Sequence, residues 1–231
     1  MPTVTAKALA ITADAAYRAG RPVMTDAEFD ALGVVVPCAG RVLLSLDKRP
    51  MDEWRCREMG PYTVTGKVDG CAIALAYVGG RLQGAWTRTG RCAMHVATLV
   101  ASVPPRIASK APVTLRGELY GLDGRQSTPA ASLRRKAPSG DGLAFVGYEV
   151  LGSADDHSKQ LWWLEGQGVD VLRWWHCASA AQVVKLHQRW RNGELWAGVP
   201  TDGIVVRVDD GNACMQMGHD GRVPRYAMAM K

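Results

Sequence analysis

The feature that most constrains the fold is a pair of strand-like stretches, residues 71–77 and 81–88, that flank the glycines at 79–80. Two glycines between alternating stretches favour a two-residue hairpin turn, because such turns need positive φ at their central positions. Counting outward from the turn places Arg88 opposite Cys71. The sequence therefore predicts an antiparallel hairpin that carries Arg88 back to the turn preceding its first strand.

Further elements follow from the spacing of apolar residues. Alternation predicts strands at residues 113–120, 143–151 and 203–208, and a period near 3.6 predicts helices at 158–166 and 178–191. Helices mixed irregularly with antiparallel strands predict an α+β fold.

The first 36 residues are predicted to form short helices. Thr25 and Glu28 have the spacing of a capping box, with Thr25 as N-cap and Glu28 at the third helical position. Gly20 and Pro22 end the preceding helix. Two short helices joined by a turn are therefore expected at the start of the chain.

Composition is that of an ordinary globular protein, with 231 residues, 47% hydrophobic and 22% charged. No apolar run approaches the ~20 residues that cross a bilayer, so no membrane association is expected. The net charge of +6 modestly favours a polyanionic partner. The six cysteines are scattered and none forms a CxxC pair, which predicts a reducing cytoplasm and no structural zinc.

The first candidate for chemistry is the turn that contains Lys67 and Asp69, directly before a buried strand. A lysine at such a place is a nucleophile when its amine is neutral, which requires burial or neighbouring cations. The alternative is an ordinary surface turn, since lysine, aspartate and glycine are all common in turns.

Three other segments carry unexpected polar residues. Alternation places Arg116, Glu118 and Tyr120 on one strand face, where the carboxylate could accept a sugar hydroxyl. The alternative is an Arg116–Glu118 edge pair facing water. Arg207 lies in a strand that is apolar on both faces, so it needs an anion such as phosphate or reaches water at the strand end. Residues 222–231 form either a site segment or a solvated basic tail.

Taken together and in this order, these segments resemble the nucleotidyltransferase superfamily, and more closely the adenylation domain of NAD⁺-dependent bacterial-type DNA ligases. Residues 25–32 resemble that family's helix for nicotinamide mononucleotide (NMN), 43–48 its adenine-side loop and 67–77 its nucleophile strand. The resemblance extends over about residues 17–231. It implies ATP-grasp-like antiparallel sheets with flanking helices, preceded by a helical NMN-recognition segment.

The resemblance also implies a domain organisation and partners. Residues 1–36 are the NMN-recognition segment and 37–231 the nucleotidyltransferase domain. The oligonucleotide-binding barrel, zinc finger, helix-hairpin-helix and terminal interaction domains of long members are not recognised in the sequence, so we expect either a fragment or a minimal enzyme. Nicked double-stranded DNA is the implied substrate, with clamping supplied by a missing domain or a partner, and a monomer is expected.

The resemblance implies a role for each matching residue. Lys67 attacks the α-phosphate of NAD⁺ to form a lysyl-adenylate and release NMN, and Asp69 orients the reacting groups. Mg²⁺ is the implied cofactor, and no residue is assigned as a metal ligand. The implied nucleotide contacts are Asp26, Phe29 and Asp30 for the NMN half, Ser45 and Leu46 for adenine, Arg88 for the nucleotide, Glu118 for the ribose, Tyr148 for adenine stacking, and Arg207 and Lys231 for phosphates. Arg134 is implied to lie near the nick phosphate.

The sequence departs from the family pattern at three places. Thr65 replaces a glutamate, the loop at residues 89–91 is shortened, and Arg207 replaces a lysine. Arginine keeps the charge but presents a planar fork of donors. These departures leave two alternatives open: an ATP-using or RNA-directed ligase of the same superfamily, and a non-catalytic nucleic-acid-binding relative.

Overall fold

The computed structural model describes residues 58–125, 127–220 and 223–231, together with positions 13, 23–25, 28, 46–48 and 54 in the first part of the chain. The helices whose bounds are defined are α1 (Met94–Ala97), α2 (Ser127–Ser132), α3 (His157–Gly166), α4 (Ala180–Arg191) and α5 (Gly211–Met217). The strands are β1 (Asp47–Lys48), β2 (Tyr62–Val68), β3 (Cys71–Val78), β4 (Arg81–Thr87), β5 (Val113–Gly121), β6 (Leu143–Val150), β7 (Trp175–Cys177), β8 (Thr201–Val208), β9 (His219–Asp220), β10 (Val223–Pro224) and β11 (Ala227–Met230).

The strands form two main sheets. The first has five strands in the order β1-β11-β8-β2-β7, antiparallel except for the β1–β11 pair. The second has four antiparallel strands in the order β4-β3-β5-β6. The short strands β9 and β10 pair separately. The predicted α+β class is thereby confirmed, and no described helix has the length and apolar character of a membrane span.

Each sheet has its own hydrophobic core. Ile73, Leu115 and Phe145 of the four-stranded sheet pack with Leu161 and Leu164 of α3. The five-stranded sheet packs against α4 in a second cluster. Polar side chains from strands of both sheets line a space between them, among them Lys67 on β2, Glu118 on β5 and Arg207 on β8.

The predicted hairpin is present, but its register is not the expected one. The first two residue pairs beyond the glycine turn follow the predicted pairing. A bulge then adds Gln83 to β4, and every later pair is shifted by one residue. The prediction that Arg88 faces Cys71 is therefore wrong: Arg88 lies opposite Ala72 and its N–H donates to the Ala72 carbonyl at 3.2 Å.

The predicted capping box near the start of the chain is confirmed. The N–H of Thr25 donates to Oε2 of Glu28 at 2.8 Å, and the N–H of Glu28 donates to Oγ1 of Thr25 at 3.3 Å. These reciprocal bonds satisfy two of the N–H groups that a helix start leaves without partners. Apart from positions 13, 23–25 and 28, the predicted 1–36 segment and its boundary with the domain that follows lie outside the described residues.

The β2–β3 connection carries the chain from the five-stranded to the four-stranded sheet. The N–H of Asp69 donates to the carbonyl of Pro200 at 2.8 Å, which fixes the loop. A Cβ on Gly70 would come within 2.3 Å of the carbonyl oxygen of Leu119. Only glycine allows this approach, and it sets the end of β2, with Lys67, against β5.

Candidate active site

A cavity of about 230 Å³ opens between the two sheets. Its walls come from β2 and β8 on one side and from β5 and β6 on the other. Of the residues predicted from the sequence, the lining includes Leu46, Lys67, Asp69, Arg88, Glu118, Tyr148 and Arg207. The topology thus gathers residues that are far apart in the chain around one space.

Lys67 lies in this cavity as one of two lysines held by a single carboxylate. Its side chain is 17% exposed, and Nζ lies 2.5 Å from Oδ1 of Asp202. The other oxygen of Asp202 lies 2.5 Å from Nζ of Lys231. Partial burial would raise the pKa of Asp202, but hydrogen bonds from Lys231 and Lys67 outweigh it and lower the pKa. Lys67 lies near the end of strand β2 rather than in the predicted turn, and the interpretation of residues 67–70 as an ordinary surface turn is wrong.

Glu118 faces the same cavity from β5. The hydroxyl of Tyr148 donates to its Oε2 at 3.4 Å. Burial raises the pKa of Glu118 to about 8, although the charges of Arg116 and Lys67 oppose this effect. When ionised, this carboxyl group can accept a hydrogen bond from a ligand hydroxyl, and when protonated it can also donate one. Its charge depends on the groups that the cavity holds.

Two buried arginines share the carboxylate of Glu149 at the cavity wall. Nη1 of Arg207 donates to Oε1 at 2.8 Å, and Nη1 of Arg116 donates to Oε2 at 3.2 Å. Burial would raise the pKa of Glu149, but the charges of Arg207 and Arg116 lower it to about 2. Arg207 therefore does not reach water at a strand end, and the proposed Arg116–Glu118 edge pair facing water is also wrong.

His157, at the start of α3, joins the two sheets beside these charges. Its Nε2 lies 2.7 Å from the carbonyl oxygen of Tyr148, which can only accept, so Nε2 carries the proton. Nδ1 then accepts from the hydroxyl of Thr63 at 2.5 Å. Burial and the nearby Arg207 lower the pKa of His157 to about 3, so the ring is neutral.

Several predicted residues have other placements. Arg134 is exposed just beyond α2 and does not line the cavity. Tyr120 packs with Val68 and with Val146, the cross-strand partner of Glu118, and does not line the cavity. The predicted solvated tail is wrong, because Ala227–Met230 is a buried strand of the five-stranded sheet. The predicted contacts at Asp26, Phe29, Asp30 and Ser45 lie outside the described residues.

The sequence reasoning missed three residues of the site: Glu149, His157 and Asp202. Asp202 lies in residues 201–208, where only Arg207 was considered as a site residue. No neighbouring residue in the sequence indicates that the carboxylate of Asp202 joins two lysines. Glu149 had a signal that was available: it is the one acidic residue in the otherwise uncharged strand Leu143–Val150. Among the described parts of the chain, no group of three His, Cys, Asp or Glu side chains could hold a metal ion.

The fold is similar to that of solved nucleic-acid ligases. The structure superposes on Pmar-Lig_PreS3 with a TM-score of 0.58, covering 91% of this chain and 52% of the other at 11% identity. Superposition on a Lig E DNA ligase gives a TM-score of 0.53 at 16% identity, covering 82% of this chain and 68% of the other. Superposition on an archaeal ATP-dependent RNA ligase gives a TM-score of 0.51 at 13% identity, covering 80% of this chain and 47% of the other. At these identities the likeness shows the fold alone.

Sequence comparisons give one partial family match and several relatives of known name. Residues 123–231 match the profile of the NAD-dependent DNA ligase adenylation domain. The DNA ligase of Halothermothrix orenii is 26% identical over 200 residues, which cover 74% of this chain and 30% of that protein. The DNA ligase of Sorangium cellulosum is 31% identical over 196 residues, covering 74% and 28%. Residues 123–231 are thus similar to the NAD-dependent DNA ligase adenylation domain, and the chain spans less than a third of these relatives' length.

Proposed function

We propose that this chain reacts with NAD⁺ to form a lysyl-adenylate at Lys67, as the first step in sealing nicked double-stranded DNA. The observation that carries the proposal is the placement of the Lys67 amine: it faces the intersheet cavity, against the carboxylate of Asp202 and in the same space as Glu118. A nucleophile at the wall of a concave, cation-rich site is suited to phosphoryl transfer, which depends mainly on positioning and charge stabilisation.

In the proposed step, the amine of Lys67 attacks the α-phosphorus of NAD⁺. A phosphorus–nitrogen bond forms, and the bond from phosphorus to the oxygen of the NMN phosphate breaks, so NMN leaves with that electron pair. The ammonium proton must be lost before attack, and Oδ1 of Asp202, 2.5 Å from Nζ, is placed to accept it. Lys231, on the other oxygen of Asp202, supplies positive charge beside the reacting phosphate.

The remaining residues are proposed to hold the dinucleotide. Glu118 bonds the ribose hydroxyls and Tyr148 stacks on adenine, with Ser45 and Leu46 on the adenine side. Arg88 and Arg207 bind the phosphates, whose negative charge their guanidinium groups match. Asp26, Phe29 and Asp30 are proposed to contact the NMN half, where carboxylates suit the positively charged nicotinamide ring.

Two further residues are given roles in the reaction. Asp69, which lines the cavity, is proposed to orient the reacting groups beside Lys67, and exposed Arg134 is proposed to lie near the nick phosphate. Mg²⁺ is proposed as the cofactor. It is commonly held by substrate phosphates and one or two carboxylates, so it does not require the protein cage that the described residues lack. Its role is tested by adding EDTA.

The decisive experiment is incubation with NAD⁺ labelled at the adenylyl phosphate. We expect a covalently labelled protein and release of NMN, no label on Lys67→Ala, and full label on Lys185→Ala, which removes an exposed lysine from α4. Absence of label on the wild-type chain, or full label on Lys67→Ala, contradicts the proposal. Peptide mapping then confirms that the adenylate is on residue 67.

The same assay separates the alternatives. Label from ATP instead of NAD⁺ identifies an ATP-using ligase, and nicked DNA compared with nicked RNA duplexes identifies the acceptor. A protein that binds DNA in a salt-dependent manner but takes no label from either donor is a non-catalytic relative.

We also propose a reducing cytoplasm and a monomeric state. The described cysteines at 71, 92, 177 and 214 are all free thiols, which supports the compartment. Light scattering of the purified chain tests the monomer.

A further inference from the structure

Glu149 joins the two walls of the cavity through a set of buried charges, which we call the Glu149 bridge. The bridge consists of Arg116 on β5, Glu149 on β6 and Arg207 on β8. The first two belong to the four-stranded sheet and the third to the five-stranded sheet. The side chains of the three residues are 11%, 11% and 12% exposed, so the bridge is a desolvated link between the sheets.

Each arginine of the bridge is held on a second side by an aromatic ring. The guanidinium of Arg116 lies 5.5 Å from the ring centre of Tyr148, and that of Arg207 lies 4.9 Å from the ring centre of Tyr226. These cation–π contacts and the carboxylate together leave each guanidinium little freedom to reorient. All five side chains line the cavity.

Stability alone does not account for such a bridge. Buried ion triads are costly to desolvate, and apolar residues of similar volume often replace them without loss of stability. The bridge keeps a net charge of +1 on the cavity wall, where an anionic ligand gains from it. Arg207 Nε, moreover, is buried without a hydrogen-bond partner among the described residues, so the guanidinium is held through its terminal nitrogens.

We propose that Glu149 is a positioning residue for adenylyl transfer: it fixes the guanidinium of Arg207 at the cavity wall in the orientation that the phosphates of the donor require. This inference rests on the proposed function. Glu149 does not contact the donor in this proposal. Its role is to place Arg207. A mobile guanidinium would still attract an anion, but it would stabilise the charge that develops during transfer less well.

The test compares Glu149→Gln, which keeps the shape and removes the charge, with Glu194→Gln, the same change in the exposed Arg189–Glu194 pair. Single-turnover labelling gives the rate constant at saturating NAD⁺, the half-saturating NAD⁺ concentration and the active fraction. For Glu149→Gln we expect a rate constant lower by about tenfold or more, with the half-saturating concentration within about threefold of wild type. Glu194→Gln should match wild type. A rate constant within about twofold of wild type, or a loss confined to the active fraction, overturns the proposal.

A second pair of variants tests the dependence on Arg207. Arg207→Lys keeps the charge and loses the planar fork, so it should slow the wild-type chain. In the Glu149→Gln background the same change should add less than about threefold, because the orientation it disturbs is already lost. Fully additive effects overturn the proposal. If Glu149→Gln does not fold, Glu149→Asp replaces it: a slowed reaction is expected, and a wild-type rate overturns the proposal.

A measurement without NAD⁺ keeps this inference separate from the proposed function. In the wild-type chain, the Nε–Hε group of Arg207 should give an ordered signal in nitrogen-15 NMR, and its heteronuclear NOE should fall in Glu149→Gln. If the wild-type chain forms no adenylate, the proposed function fails, and this signal still decides whether Glu149 orders Arg207. An unchanged NOE overturns the positioning role.

Discussion

Oδ1 of Asp202 lies 2.5 Å from Nζ of Lys67, so the proposed nucleophile is already hydrogen-bonded to a carboxylate before any donor enters the cavity. The same carboxylate bonds Lys231 through its second oxygen. One side chain therefore holds both Lys67, which lines the cavity, and the half-exposed Lys231, and it comes from β8, more than a hundred residues after Lys67.

The first prediction concerns this contact. Asp202→Asn keeps the size of the side chain but removes the proton acceptor and the charge that holds both lysines. We expect the rate of lysyl-adenylate formation to fall by about 100-fold, the size typical of a lost general base. Quenched-flow labelling with NAD⁺ measures it. Asp141→Asn, at an exposed carboxylate that accepts from Ser139, is the matched control and should leave the rate unchanged. Equal rates in the two variants would exclude a role for Asp202.

The second prediction uses the raised pKa of Glu118, about 8 against a reference of 4.5. Between these values the folded chain binds more protons than the unfolded chain, so this group lowers stability as pH rises from about 4.5 to about 8. Glu118→Gln cannot ionise at this position. Its free energy of unfolding should therefore rise relative to that of wild type as pH increases from about 4.5 to about 8, and the difference should stay constant above pH 8. Urea unfolding at pH 5 to 9 measures the difference, and a difference independent of pH contradicts the prediction.

The third prediction concerns Glu149, whose pKa is lowered to about 2. Its charge stabilises the fold above the unfolded pKa, and this contribution is lost as pH falls towards the folded pKa. Glu149→Gln should lower the free energy of unfolding by about 3 kcal/mol at pH 7, because it leaves two buried arginines without their anion. The loss should shrink between pH 4.5 and about 2. Denaturant titrations at pH 7 and pH 3 check both statements, with Glu194→Gln as the exposed control.

The fourth prediction concerns Gly70. A Cβ there would lie 2.3 Å from the carbonyl oxygen of Leu119, so Gly70→Ala must push the β2–β3 loop away from β5. We expect a loss of about 1–3 kcal/mol in stability and a slower adenylation, since Lys67 moves with the loop. Gly166→Ala is the control, because nothing lies within 4 Å of a Cβ there and alanine favours a helix. Similar stabilities for the two variants would argue against a tight approach at Gly70.

Much of the fold could be predicted because its signals are local. The strands beginning at Val113 and Leu143 and the helix ending at Gly166 follow from apolar spacing over a few residues. The capping box of Thr25 and Glu28 follows from a four-residue pattern. The register of the hairpin did not follow, because the bulge at Gln83 leaves the alternation on either side intact.

The sequence by itself determined strands β3, β4, β5, β6 and β8 and the polar residues that interrupt apolar strands, because each depends on backbone preferences and neighbours a few positions away. It did not determine that Lys67 lies within strand β2 rather than in the turn that follows. Only the tertiary structure decided that Asp202 joins Lys67 to Lys231, and that Glu149 pairs with Arg207. These contacts form between strands of distant sequence position. Their partners are chosen by how two sheets face one another across a cavity, and no local pattern records that choice.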